Sequence, residues 1–318
     1  MVSSPRKIYE EFLDKSLDKN SAVLLLISLI ENVEDNEIRF DSIKILKKIE
    51  ALDDRVFKLL ENLLVSDSNE KIRNEACLYI QNHFLYKASA PMKWAIQHET
   101  DYNCTINIIK TLSMINDAES KSILINELNK IKIRKFIDDP KQYDNEQFKQ
   151  SLRELQKIKR LEDLNTIELA DIVINYKTIT ALIKKFFKVH FEWENGVVVW
   201  LDLSELGWNA DRTQYAGKLS DLSQIIGLKY LTSLKKLNLS NNKLSNIKEL
   251  TILKNLTHLG LTNNQIEERN NIMYLKQLPN LLYADLSDNT IAYKIDKNDF
   301  GDTYIKTTKA LDFLYDKL

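Results

Sequence analysis

Apolar residues return along this chain with two different periods. In the first half, Phe57, Leu60 and Leu64, and again Met92, Trp94 and Ala95, recur at the spacing of one helix face. This predicts helices over Ala22 to Glu31, Arg55 to Val65, Pro91 to His98 and Ala118 to Lys130. A second helix follows the first three. Asp35-x-x-Ile38-Arg39, Asn69-x-x-Ile72-Arg73 and Asp101-x-x-Cys104-Thr105 align at steps of 34 and 32 residues, with Leu46, Ile80 and Leu112 eight residues past the apolar position. The leading Asp or Asn suits an N-cap, where its oxygen accepts from amides that the first turn leaves unpaired. The Arg one turn later can reach back to the acid of the neighbouring pair, and Thr105 breaks that ladder at its third member. A fourth second helix is expected near Asp144, where Asp144-x-x-Gln147 makes a capping box and Phe148, Leu152 and Leu155 turn inward. Ser4-Pro5 opens an amphipathic end helix with Ile8, Phe12 and Leu13 on one side. Asn165-x-x-Glu168 restarts helices to about Val189, with Ile167, Ile172, Ile179, Leu182 and Phe186 available to seal a junction.

Beyond residue 190 the period falls to two. His190 to Val199 reads as a hairpin, with Asn195-Gly196 as its two-residue turn and a valine-rich return strand. Residues 234–244 read LKKLNLSNNKL, 256–266 LTHLGLTNNQI and 281–291 LLYADLSDNTI; VVWLDLSELGW, 198–208, fits the same frame with Leu206 in the asparagine place. On a strand, Leu237 and Leu239 point one way while Lys236, Asn238 and Ser240 point the other. Burying each leucine is worth about 1.5 to 3 kcal/mol, gained only when the next unit covers it. The asparagines Asn242, Asn264 and Asn289, 22 and 25 residues apart, fall where the chain turns inward, and a short amide can satisfy that backbone from both its donor and its acceptor. An insertion of 14 residues is expected within Asn209 to Leu222, and a capping helix over Thr307 to Lys317 with Leu311, Leu314 and Tyr315 inward.

All six glycines lie after residue 195, so helices joined by short polar links fit the first half. Its paired helices, over about residues 20–160, resemble HEAT-type helical repeats. The leucine and asparagine frame, over about residues 195–295, resembles leucine-rich repeats of the 22-residue type. The resemblance implies a two-part solenoid: HEAT-like all-α repeats in residues 1–163, a helical junction and cap in 164–189, then an α/β leucine-rich domain with a short parallel sheet and a capping helix in 190–318. It also implies protein–protein recognition, since both families serve mainly as binding modules.

Composition excludes more than it assigns. Forty-five basic against forty-six acidic residues give a net charge of -1, so no overall field draws the chain to nucleic acid or anionic lipid. Ala22 to Ile30 is about half of what spans a bilayer, and a cytoplasmic protein without a membrane partner is expected. Cys77 and Cys104 sit in apolar helical patterns as core filler. His83, His98, His190 and His258 lack metal spacing, and no phosphate loop or nucleophile signature occurs, so no metal, cofactor or enzymatic activity is expected. Between Lys130 and Arg160 ten basic residues face five acidic ones, which leaves nucleic-acid binding by the helical half as an alternative. The leading expectation is a scaffold or adaptor that takes a protein partner on the outward rows of the strands. Trp200, Lys236, His258 and Tyr283 form the first row, Asp202, Asn238, Gly260 and Asp285 the second, and Ser204, Ser240, Thr262 and Ser287 the third. A shallow notch is expected at Gly260. A regulatory subunit of an enzyme such as a phosphatase or small GTPase is the other reading of the same fold.

Overall fold

A computed structural model describes residues 4–131, 146–186, 189–204, 206, 218–295, 300 and 302–307. Among them the chain is helical up to Lys185 and then forms a six-stranded mixed sheet. It divides into two compact units, Met1–Leu128 with Leu164–Ala170, and Asn129–Asp163 with Asp171–Leu318.

The first unit contains α1 (Pro5–Leu13), α2 (Lys19–Asn32), α3 (Asn36–Lys48), α4 (Asp54–Ser66), α5 (Glu70–His83), α6 (Ser89–His98), α7 (Tyr102–Ile115) and most of α8 (Ala118–Lys130). α2 packs on α3, α4 on α5 and α6 on α7, while α5 also touches α3 and α7. The expected caps form: Asp35 accepts from Glu37 N at 2.8 Å, Asn69 from Lys71 N at 2.9 Å and Asp101 from Cys104 N at 2.8 Å. The arginines bond back to carbonyls, Arg39 to Ile30 O and Arg73 to Asp67 O, and find their acids forward. Arg39 pairs with Asp67, and Arg73 forks onto both oxygens of Glu99 at 2.8 and 2.9 Å. Asp67 and Glu99 are the C-cap residues of α4 and α6, so each arginine ties a second helix to the first helix of the following pair. Thr105 instead donates to Asp101 O at 2.7 Å within its own helix. Tyr79, wholly buried, sets its hydroxyl 2.9 and 2.8 Å from the carbonyls of Leu46 and Ala51, which fixes the link between α3 and α4. Leu13, read as inward, is exposed.

α9 (Glu146–Ile158) corrects the sequence reading. It packs on β1 (His190–Glu194) in the second unit, with Phe148 against Trp193 at 4.9 Å and Tyr176 at 4.8 Å, rather than completing a fourth pair. Leu155 is only half-buried, and Asp144 lies outside the described residues. In α10 (Thr166–Lys185), Ile172, Ile179 and Leu182 are buried, as is Phe186 just after the helix, the last three in the apolar core of the sheet, and Ile167 is exposed.

β1 pairs antiparallel with β2 (Val197–Asp202) through a turn in which Asn195 (φ 51°) and Gly196 (φ 82°) both take the left-handed region. Gly196 is needed twice, since a Cβ there would also press on Ile172 at 3.1 Å. Asn175 of α10 accepts from Val198 N at 3.0 Å, and Ser151 of α9 from Gly196 N at 2.8 Å. The sheet continues in parallel through β3 (Lys236–Asn238), β4 (His258–Gly260), β5 (Tyr283–Asp285) and β6 (Tyr304–Lys306), with α11 (Asn270–Lys276) between β4 and β5. Leu201, Leu237, Leu259, Ala284 and Ile305 stand side by side in register and point into one apolar core. The expected capping helix falls, from residue 308 onward, outside the described residues, as do residues 209–217 of the stretch expected to hold the insertion.

Candidate functional site

Because neighbours alternate across each strand, burying the central residue turns its two flankers outward. Register then sets Trp200, Lys236, His258, Tyr283 and Tyr304 in one row, and Asp202, Asn238, Gly260, Asp285 and Lys306 in a second. Lys236, His258 and Tyr304 are exposed, while Trp200 and Tyr283 are half-buried. The strand spacing stacks the rings: His258 and Tyr283 lie 6.0 Å apart, Tyr283 and Tyr304 5.8 Å apart and tilted by only 17°.

The polar members are fixed by their neighbours. Thr257 gives its hydroxyl hydrogen to Lys235 O at 2.8 Å, so the 2.9 Å contact with His258 Nδ1 requires that nitrogen to donate, which turns Nε2 to the outside. Asp285 accepts from Lys306 Nζ at 2.9 Å and Ser287 N at 3.0 Å. Burial alone would raise its pKa, and these bonds hold it below the ordinary carboxylate range. The same bond to Asp285 raises Lys306. Burial and the Asp285 charge push Tyr283 upward.

Two expectations change. The notch at Gly260 is filled: a Cβ there would lie 2.6 Å from Asn238 Oδ1, because that side chain leans over the glycine and donates its amide to Asp202 at 3.2 Å. In the third row Ser204, Ser240 and Thr262 are half-buried, but Ser287 is buried and its hydroxyl has no partner among the described residues, so it does not present a surface. Ser204, Ser240 and Ser287 give their backbone amides to Asp202, Asn238 and Asp285 two residues earlier, and these turns fix the second row's side chains.

The three asparagines form the internal support. Asn242 Nδ2 donates to Leu203 O and Leu239 O, both at 3.0 Å, Asn264 Nδ2 to Leu239 O and Leu261 O at 3.0 and 2.9 Å, and Asn289 Nδ2 to Leu261 O and Leu286 O at 2.8 and 3.1 Å. Their oxygens accept from Leu219 N, Leu244 N and Ile266 N. Sequence reasoning missed Asn271, buried and bonded in the same way to Ile247 N, Ser245 O and Glu268 O, and Asn175 beneath the hairpin. It also missed Tyr304 and Lys306. The available signal was Thr303-Tyr304-Ile305, which repeats Thr257-His258-Leu259 down to the threonine hydroxyl bond back to the preceding strand, here to Leu281 O at 2.7 Å.

Elsewhere the candidates for chemistry are quiet. Burial pushes the Cys77 thiol up to about 12 and raises Cys104, so neither carries thiolate near neutrality. Among the described residues no group of His, Cys, Asp and Glu could hold a metal ion, and no helix is long and apolar enough to cross a membrane. Of the basic stretch, residues 132–145 lie outside the described residues, while Lys157 and Arg160 pair with Glu154 and Asp163. No protein-family model matches the chain, and a search of curated proteins finds no match.

Proposed function

We propose that the chain is a non-catalytic binding protein whose second unit takes a protein partner on the exposed face of its sheet. The finer architecture belongs to the same proposal: leucine-rich repeats of the 22-residue type over about residues 195–295, preceded by HEAT-like helix pairs, as a two-part solenoid. The observation that carries the function is the row Trp200, Lys236, His258, Tyr283 and Tyr304, one residue from each of five neighbouring strands. Aromatic rings with polar surroundings, mounted on regular backbone, are what the centre of a protein interface is made of. Ring stacking and the bonds among Asp285, Lys306 and Ser287 hold these side chains before any partner arrives, which lowers the entropy lost on binding. The repeat architecture is supported by the asparagines, each bonded to its own turn and to the preceding one.

The test is capture by the tagged full-length chain from its native cells, wild type against the double variant Trp200→Ala, Tyr283→Ala. Proteins retained by the wild type should be lost by a variant whose melting temperature is close to normal. Retention of the same proteins by both would refute the reading.

A further inference from the structure

The geometry points to a basic side chain, arginine above lysine, as the group by which the partner enters this face. The inference rests on the binding role proposed above and names the chemistry of the partner. A groove of about 680 Å³ lies wholly within the second unit, lined among others by Gln150 and Glu154 of α9, His190, Glu192 and Trp193 of β1, and Trp200 of β2.

Glu154 and Glu192 are the acids of the lining, and among the described residues no Lys or Arg lines it. Glu192 stands in register with Trp200, so a cation set against the indole meets a carboxylate from the adjoining strand. The next acid on β1, Glu194, is already bridged to Lys235 at 2.6 Å. Glu154 is bridged by Lys157 at 2.7 Å, but both side chains are largely exposed, and such a pair yields readily to a better-held competitor.

Of the two indoles in the lining, Trp193 is braced by neighbouring rings. Phe148 meets Trp193 edge-on at 4.9 Å and Phe191 does so at 6.0 Å, which fixes the ring orientation. An indole face attracts cations, and a planar guanidinium can stack on it while forking onto a carboxylate; an ammonium matches only the charge. The Gln150 amide can donate to and accept from the main chain that carries the arginine. Trp200 belongs both to this groove and to the first row of the sheet, so a segment anchored here continues directly onto Lys236 and His258.

The test uses the full chain and end-blocked hexapeptide libraries whose central residue is fixed as Arg, Lys, Gln or Glu and whose flanks are randomised. The wild type should retain the Arg library about tenfold better than the Glu library, with Lys between them. Glu154→Gln with Glu192→Gln, both at exposed positions, should bring that ratio close to one without shifting the melting temperature, and Glu192→Gln alone should lower it. Equal retention of the Arg and Glu libraries by the wild type, or a preference that survives the double variant, would overturn the inference. The binding role fails separately: partner capture unaffected by Trp200→Ala, Tyr283→Ala refutes that reading, whereas capture lost in that variant with no basic preference refutes only the groove.

Discussion

Replacing Asn264 by alanine should cost less than the same change at Asn242 or Asn289, although Asn264 is the middle rung. The reason lies in shared acceptors. Leu239 O receives both Asn242 and Asn264, and Leu261 O receives both Asn264 and Asn289, so each keeps one donor when Asn264 is truncated. Only Leu244 N is then left bare. Losing Asn242 strips both Leu219 N and Leu203 O, and losing Asn289 strips both Ile266 N and Leu286 O, for which no other partner occurs among the described residues. At about 1 to 3 kcal/mol for each unpaired buried group, Asn264→Ala should cost about 1 to 3 kcal/mol and either outer rung about twice that. The cavity term is similar in all three and cancels in the comparison. Urea denaturation followed by hydrogen exchange in peptides covering residues 236–266 isolates the sheet from the helical unit. A middle rung as costly as the outer ones, or costing under about 0.5 kcal/mol, would refute the shared-acceptor argument.

Gly260→Ala should destabilise by about 1 to 3 kcal/mol, because its Cβ would meet Asn238 Oδ1 at 2.6 Å, and adding Asn238→Ala should recover much of the loss in thermal melts. Arg73→Ala should cost about 3 to 5 kcal/mol by leaving the Glu99 carboxylate, 3% exposed, without its counter-charge, as read in the unfolding of the helical unit. Glu99 titrates at about 2: its burial opposes ionisation, but Arg73 and neighbouring amides more than offset it. Its contribution is therefore present above the ordinary Glu value of 4.5 and lost as pH falls from there through about 2, so acid unfolding in this window should be shallower in Arg73→Ala. Asp171 has the opposite sign. Burial lifts it from 3.8 to about 6, so the folded chain binds a proton that the unfolded chain has released, and stability falls as pH rises from about 4 through about 6. Asp171→Asn should remove that slope and raise the melting temperature at pH 7; an unchanged pH profile would sink the assignment.

The parts of the fold that were legible in the sequence are those decided within one turn or one strand. Asp35, Asn69 and Asp101 cap helices because the unpaired amides lie two or three residues away. The rows through Lys236 and His258 follow from alternation alone. What α9 packs against could not be read in this way, since a stripe of Phe148 and Leu152 states which face is covered and not whether a helix or a strand covers it. Gly260 reads as a gap until the rotamer of Asn238, a strand away, is known. Ser240 and Ser287 occupy the same place in the frame, and only neighbours absent from that frame decide which is buried. β6 carries neither the leucines nor the asparagine of the other units, so Tyr304 and Lys306 went unseen.

The bonds of Asn242, Asn264 and Asn289 all run towards lower residue numbers: Leu219 N waits for Asn242, Leu244 N for Asn264 and Ile266 N for Asn289, separations of 23, 20 and 23 residues. A ribosome therefore delivers each bend of the backbone before the group that completes it. During synthesis these three segments of the sheet wall are thus fully bonded only once the following asparagine has been made.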